Sequence, residues 1–204
     1  MCPNATLQKL VDGNKRFSEG KSSHPNLGVE LRNALVKKQK PFAAILSCSD
    51  SRVPVEIIFD VGLGDLFVVR SAGHVLSKEA LGSLEYAVSG LGVKLILIMG
   101  HDNCGAVTTA LNLFNDGSEN YSENFKSLLE HIYPALDNLH EGHDNLKEAI
   151  ICNIAYQLKD LGKRSPYLAS MIEQKKLIVA GAKYSLETGE VELFDEAKEE
   201  LCCS

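Results

Sequence analysis

The sequence lacks any surplus of positive charge. Its 21 Lys and Arg are outnumbered by 27 Asp and Glu, giving a net charge of −6. A nucleic-acid binder needs a basic face, so that class of partner is set aside. No apolar run approaches the roughly 20 residues of a membrane span, so no membrane partner is expected. The opening stretch, MCPNATLQKLVDGNKRF, is polar and has no apolar segment of a secretory signal. Repeats and low-complexity segments are missing too, and 45% of residues are hydrophobic, so a packed core is expected rather than disorder. These absences point to a soluble cytoplasmic protein. In that setting its six cysteines read as free thiols or metal ligands rather than disulfides.

What is present reads as one α/β domain over 1–204. Residues 4–19 form a helix that Asn4 can cap, with Leu7, Leu10, Val11 and Phe17 on one face. A Gly-, Ser- and Pro-rich loop (20–28) and a second helix (28–39) complete an N-terminal helical arm of about 1–40. The apolar runs FAAILS (42–47), DLFVVRS (65–71) and VKLILIMG (93–100) read as strands covered on both faces. A helix capped by Ser77 joins the second to the third, which implies parallel pairing with a right-handed crossover. Residues 105–115 continue as a helix. The segment 117–172 reads as a helical insertion, containing NLKEAIICNIAYQLKDLG and a shorter helix with Pro166 in its first turn. KLIVAGAKYSL is a fourth strand, and ETG turns it into an antiparallel edge strand, EVELFD. The expected fold is a central mixed sheet of four parallel strands plus an antiparallel edge, flanked by helices.

The chemistry gathers at two strand ends. CSDSR (48–52) follows the first apolar run, and GHDNCGAV (100–107) closes the third. His101-x-x-Cys104 is a compact ligand pair, weak alone. Ligands of open parallel sheets bind beyond the carboxyl ends of strands. If the first and third strands are neighbours, Cys48 lies about one strand spacing, roughly 5 Å, from the His101 loop. Two thiolates and an imidazole favour Zn2+ over Mg2+ or Ca2+, and three protein ligands with an open position is the pattern of a catalytic zinc. Asp50 is near enough to take the fourth position or to accept a proton from water there. Arg52 can hold Asp50 in a charge-assisted pair and keep it ionised. The competing readings are buried thiols with a core histidine, and a structural salt bridge for Asp50 and Arg52.

The paired motifs Cys-x-Asp-x-Arg and His-x-x-Cys-Gly resemble the β-class carbonic anhydrase family. LVDGNKRF (10–17), GDLFVVRSAG (64–73), SLEYAVSGLGVKLILIMGH (83–101), SPYLASMI (165–172) and VAGAKYSLETGEVELF (179–194) extend the likeness nearly end to end. The resemblance implies one zinc per chain on Cys48, His101 and Cys104. It implies reversible hydration of CO2 to bicarbonate and a proton by zinc-bound hydroxide. Asp50 and Arg52 would form a gating dyad, with Asp50 itself a zinc ligand in a closed state. A homodimer or homotetramer is implied, with N-terminal helices crossing onto the partner. Relatives of this family that hydrolyse carbonyl sulfide or carbon disulfide give the alternative activity. A zinc site serving only structure is the third reading, and Arg52 argues against it.

Some positions depart from the family pattern. Ser71-Ala72-Gly73-His74 stands where Asn-Ala-Gly-Asn is common, and Leu63-Gly64-Asp65 where Pro-Gly-Asp is. An inhibitory bicarbonate pocket in some members uses a tryptophan, and this chain has none. HEGH (140–143) reads as a solvated loop, and His24 and His131 as surface residues. His74 is a candidate for the cleft, and Cys152 reads as a core thiol. Cys2, Cys202 and Cys203 lie in the tails, the last two in a fraying helix end, and carry no assigned role.

Overall fold

The computed structural model describes residues 3–116, 121–137, 139 and 145–194. The HEGH stretch, Cys2, Cys202, Cys203 and the C-terminal tail lie outside them. Helices α1 (Pro3–Ser18) and α2 (Val29–Leu35) precede strand β1 (Ala43–Cys48). Asn4 therefore sits inside α1 rather than capping it, and α2 is shorter than expected, ending before the lysine-rich 37–40 segment. A one-turn helix, α3 (Val55–Ile58), and β2 (Leu66–Ser71) follow, then a short 3-10 turn (Ala72–His74) and α4 (Lys78–Ser89). Next come β3 (Leu95–His101), α5 (Gly105–Asp116), α6 (Glu123–Leu129), α7 (Tyr133–Leu136), α8 (Leu146–Arg164) and α9 (Pro166–Glu173). Strands β4 (Ile178–Tyr184) and β5 (Val191–Leu193) are the last elements among the described residues.

The five strands run in the order β2-β1-β3-β4-β5. The first four are parallel and β5 is antiparallel to β4. This is the architecture the sequence predicts, including adjacency of the first and third strands. One expectation is corrected. β1 and β3 are buried along their whole length, but β2 is only half-buried because it forms the sheet's edge. An edge strand has no neighbour on one side, so an apolar run there is not proof of double cover.

Two apolar layers sandwich the sheet. One contains Leu81, Leu84, Val107, Ile132 and Ile154 from α4, α5, the turn before α7 and α8. The other contains Leu10, Val55, Ile58 and Phe59 from α1 and α3. The Ser77 hydroxyl caps α4, accepting from the Ala80 amide at 3.2 Å. Ser165 caps α9 in the same way, with Pro166 at its first position. The stretch expected as an insertion does more than cover the sheet. Its α8 is the crossover between β3 and β4 and packs on both. Gly100 lets it approach: a Cβ there would stand 2.7 Å from Ile154 Cδ1.

Cys152 is buried in α8, but it is disulfide-bonded and not the free thiol expected. It belongs to a small satellite cluster with Ala155, Leu139 and Ile151.

Candidate metal centre

The sheet brings the two motifs together. β1 pairs β3 with Ser47 opposite Met99, which sets Cys48 beside Gly100 and one step from His101. Cys48 is the last residue of β1 and His101 the last of β3, so both candidate ligands sit on the strands themselves, not in the loops beyond. Cys104 ends the following turn, in which Asn103 takes a left-handed φ of 52° just before α5 begins at Gly105.

The Cys48 and Cys104 sulfurs are 3.9 Å apart. With the His101 ring they form a buried group whose ligand atoms all lie within 4.8 Å of one another. Two sulfurs each 2.3 Å from one tetrahedral ion would be about 3.8 Å apart, so the two sulfurs already stand at the spacing that zinc requires. The histidine fits as well. His101 Nδ1 donates to the Asp102 carbonyl at 2.8 Å, which fixes the ring. Its Nε2 is buried and has no hydrogen-bond partner among the described residues. A buried nitrogen lone pair left over in this way is what a metal ligand requires.

The electrostatics of the cluster agree. Hydrogen bonding from the Cys104 thiol pulls the Cys48 thiol well below its ordinary value; burial opposes this, and His101 and the Asp50 and Gly73 amides assist. Cys104 is pushed up in turn, by its bond to Cys48, by burial and by the neighbouring thiolate charge. Each sulfur thus acts on the other, and the cluster favours a thiolate. Burial works against charge on His101, but the Cys48 thiolate outweighs it and raises the imidazole. An anionic pocket of this kind attracts a cation that displaces the remaining protons.

Asp50 and Arg52 stand at the rim of this cluster. Asp50 Oδ1 accepts from the Arg52 amide and Nε, both at 2.9 Å, and Oδ2 accepts from Arg52 Nη2 at 2.7 Å. The Arg52 side chain, chiefly through these bonds, holds the Asp50 carboxyl well below the usual carboxylate range. Oδ2 also stands 3.9 Å from His101 Nε2. The spacing read as a dyad is thus a bidentate pair beside the ligand cluster.

Sequence reasoning missed the groups that hold this loop. Arg70, at the end of β2, donates from Nε to the Cys48 carbonyl at 3.0 Å and from Nη2 to the Asp50 carbonyl at 2.7 Å. The Gly73 amide donates to Cys48 Sγ at 3.3 Å. A charged residue ending an otherwise apolar strand was the available signal for Arg70. The Gly73 amide had none, because a backbone donor leaves no mark in side-chain chemistry. His74 is fully buried behind the cluster and does not line an open cleft. His24 is exposed as expected, whereas His131 is half-buried.

Known proteins agree with this geometry. The carbonic anhydrase family profile matches residues 43–191. A carbonic anhydrase 2 of Mycobacterium tuberculosis is 41% identical over 194 residues, covering 95% of this chain and 93% of that protein. A carbonic anhydrase of Mycolicibacterium smegmatis is 40% identical, covering 94% and 93%. Among solved structures, the β-carbonic anhydrase CcaA superposes with a TM-score of 0.73 at 30% identity, covering 94% of this chain and 96% of the other. With the sheet order and both motifs in place, the chain belongs to the β-class carbonic anhydrase family.

Proposed function

We propose that the protein is a zinc-dependent carbonic anhydrase, converting CO2 and water to bicarbonate and a proton, and back. Cys48, His101 and Cys104 would hold the ion. When bound, zinc supplies a Lewis acid that makes water a usable nucleophile near neutral pH. Two thiolates cancel its formal charge, so the protein must contribute more to activation than at a three-histidine site. Asp50 is the residue placed to do so. As an ionised carboxylate it can only accept, and it accepts a hydrogen of the attacking water. That turns a lone pair toward the CO2 carbon. Arg52 keeps Asp50 ionised and holds it at the rim.

The observation that carries this reading is the Asp50 position. Both its oxygens are engaged by Arg52, and Oδ2 stands 3.9 Å from His101 Nε2. A closed structural site would instead turn Asp50 onto the ion as a fourth ligand. The names of the relatives support the substrate. A homodimer or tetramer belongs to the same reading, supported by the apolar residues that the single chain leaves exposed.

Stopped-flow CO2 hydration by the zinc-loaded protein, scanned from mildly acidic to mildly alkaline pH, tests the proposal. Turnover rising with pH is expected. No turnover with zinc shown bound would sink it, and a parallel assay on carbonyl sulfide would then test the alternative hydrolase.

A further inference from the structure

Behind the metal-ligand cluster lies a buried polar chain that the chemistry above does not use. His74, Asn153 and Gln157 are 0%, 0% and 1% exposed. Gln157 accepts from the Leu76 amide through Oε1 at 2.9 Å, and its Nε2 donates to the His131 carbonyl at 2.9 Å and to Asn153 Oδ1 at 3.0 Å. Asn153 Nδ2 then donates to the Gly73 carbonyl at 2.9 Å and meets His74 Nε2 at 3.0 Å.

Three backbone groups fix every orientation in this chain. An amide N–H can only donate and a carbonyl can only accept, so neither side-chain amide can be turned round. Asn153 Nδ2 must donate to His74 Nε2, which puts the imidazole proton on Nδ1. That Nδ1 has no hydrogen-bond partner among the described residues. Burial keeps the ring neutral, pulling its pKa down to about 4.

The residues held by Asn153 are themselves constrained. Gly73 has φ 67°, and His74, which is not a glycine, has φ 47°. A left-handed histidine in a buried turn persists only where its surroundings hold it. The same turn aims the Gly73 N–H at Cys48 Sγ.

We propose that Asn153, backed by Gln157, is a positioning residue for the metal centre. From α8 it locks the Gly73–His74 turn so that the Gly73 amide donates to the Cys48 thiolate. This rests on the metal-centre reading above. A donor on a ligating sulfur draws electron density from it and leaves the bound ion more acidic. In a centre with two thiolates that correction favours activation of water. It also explains why a 19-residue helix carries an Asn and a Gln on its buried face.

The test uses the full chain loaded with Co2+, whose thiolate-to-metal absorption reports sulfur donor strength, and Zn2+ competition against a chromophoric chelator. Asn153→Leu keeps the branched outline and the number of heavy atoms, and removes both donors. It is expected to move the charge-transfer band to lower energy and to weaken Zn2+ binding by about 10- to 100-fold, with far-UV circular dichroism unchanged. Gln157→Met, one link further back, is expected to move both readouts the same way by less. Folded variants with the wild-type band and wild-type Zn2+ affinity would overturn the inference, even if their Tm falls, because a mere brace lowers Tm without touching sulfur. If Asn153→Leu does not fold, Gln157→Met decides by the same two readouts. Wild-type protein that binds neither metal overturns the metal-centre reading and this inference together. Wild type that binds both, beside unaffected variants, overturns this inference alone.

Discussion

A single carboxylate separates a catalytic from a structural reading of the metal centre. Asp50 is two residues from Cys48 and two from Arg52, and the fold sets it between Arg52 and His101. Its side chain is 16% exposed and that of Arg52 is 53% exposed, so the pair sits where a substrate can arrive. Removing the acceptor while keeping the shape isolates the proposed role. Asp50→Asn should lower kcat/KM by about a hundredfold or more, the range for loss of a positioned proton acceptor. Zinc content should stay at one per chain, because Cys48, His101 and Cys104 are untouched. Arg52→Ala should lose activity as well, by freeing Asp50 to approach the ion. Metal analysis beside CO2 hydration kinetics checks both. Full activity in Asp50→Asn would remove Asp50 from the mechanism.

Between elements, another carboxylate does structural work. Asp60, left-handed at φ 45°, follows α3 and is 2% exposed. It accepts from the Ser23 and His24 amides, the Ser23 hydroxyl and Arg16 Nε, tying α1 and the 21–28 loop to the end of α3. Burial pushes its carboxyl up, but the Ser23 amide, the Arg16 guanidinium and the other donors outweigh burial and hold it below the usual range. Its stabilising effect is therefore fully present above about pH 3.9, the unfolded value, and is lost as pH falls toward the folded value. Asp60→Ala should cost about 2–3 kcal/mol at neutral pH, and the gap between variant and wild type should narrow in acid. Urea unfolding at two pH values measures it; a gap that widens in acid would contradict the linkage. Gly100→Ala should cost about 1–3 kcal/mol by overpacking β3 against α8. This latch was illegible in the sequence, because an Asp and an Arg 44 residues apart carry no local pattern. The sheet was legible, because its strands are short apolar runs with turn residues between them. The gathering of Cys48, His101 and Cys104 was legible for the same reason, since they close two of those runs. Asn153 and Gln157 were hidden inside an amphipathic pattern that reads as packing.

The whole chain leaves unusual surface uncovered. Leu27, Val29, Ile57 and Leu63 are 62%, 60%, 51% and 45% exposed. Leu27, Ile57, Leu63 and Leu66 line a groove of about 300 Å³ beside the edge strand β2. Scattered exposed apolar side chains are ordinary, but several lining one groove beside an unpaired sheet edge mark an interaction surface. A second copy of the chain would cover it by presenting the same face, as a two-fold interface requires. Sedimentation velocity at micromolar concentration should therefore show a dimer or a larger closed assembly. Ile57 projects from a one-turn helix, so Ile57→Asp adds a charge at the interface without opening the core. It should weaken association at least tenfold, roughly 1.4 kcal/mol. Far-UV circular dichroism of the variant should match wild type. A wild-type chain that sediments as a monomer would mean that this face is not covered by a copy of itself, and the oligomer would drop out of the proposed function while the metal centre stood.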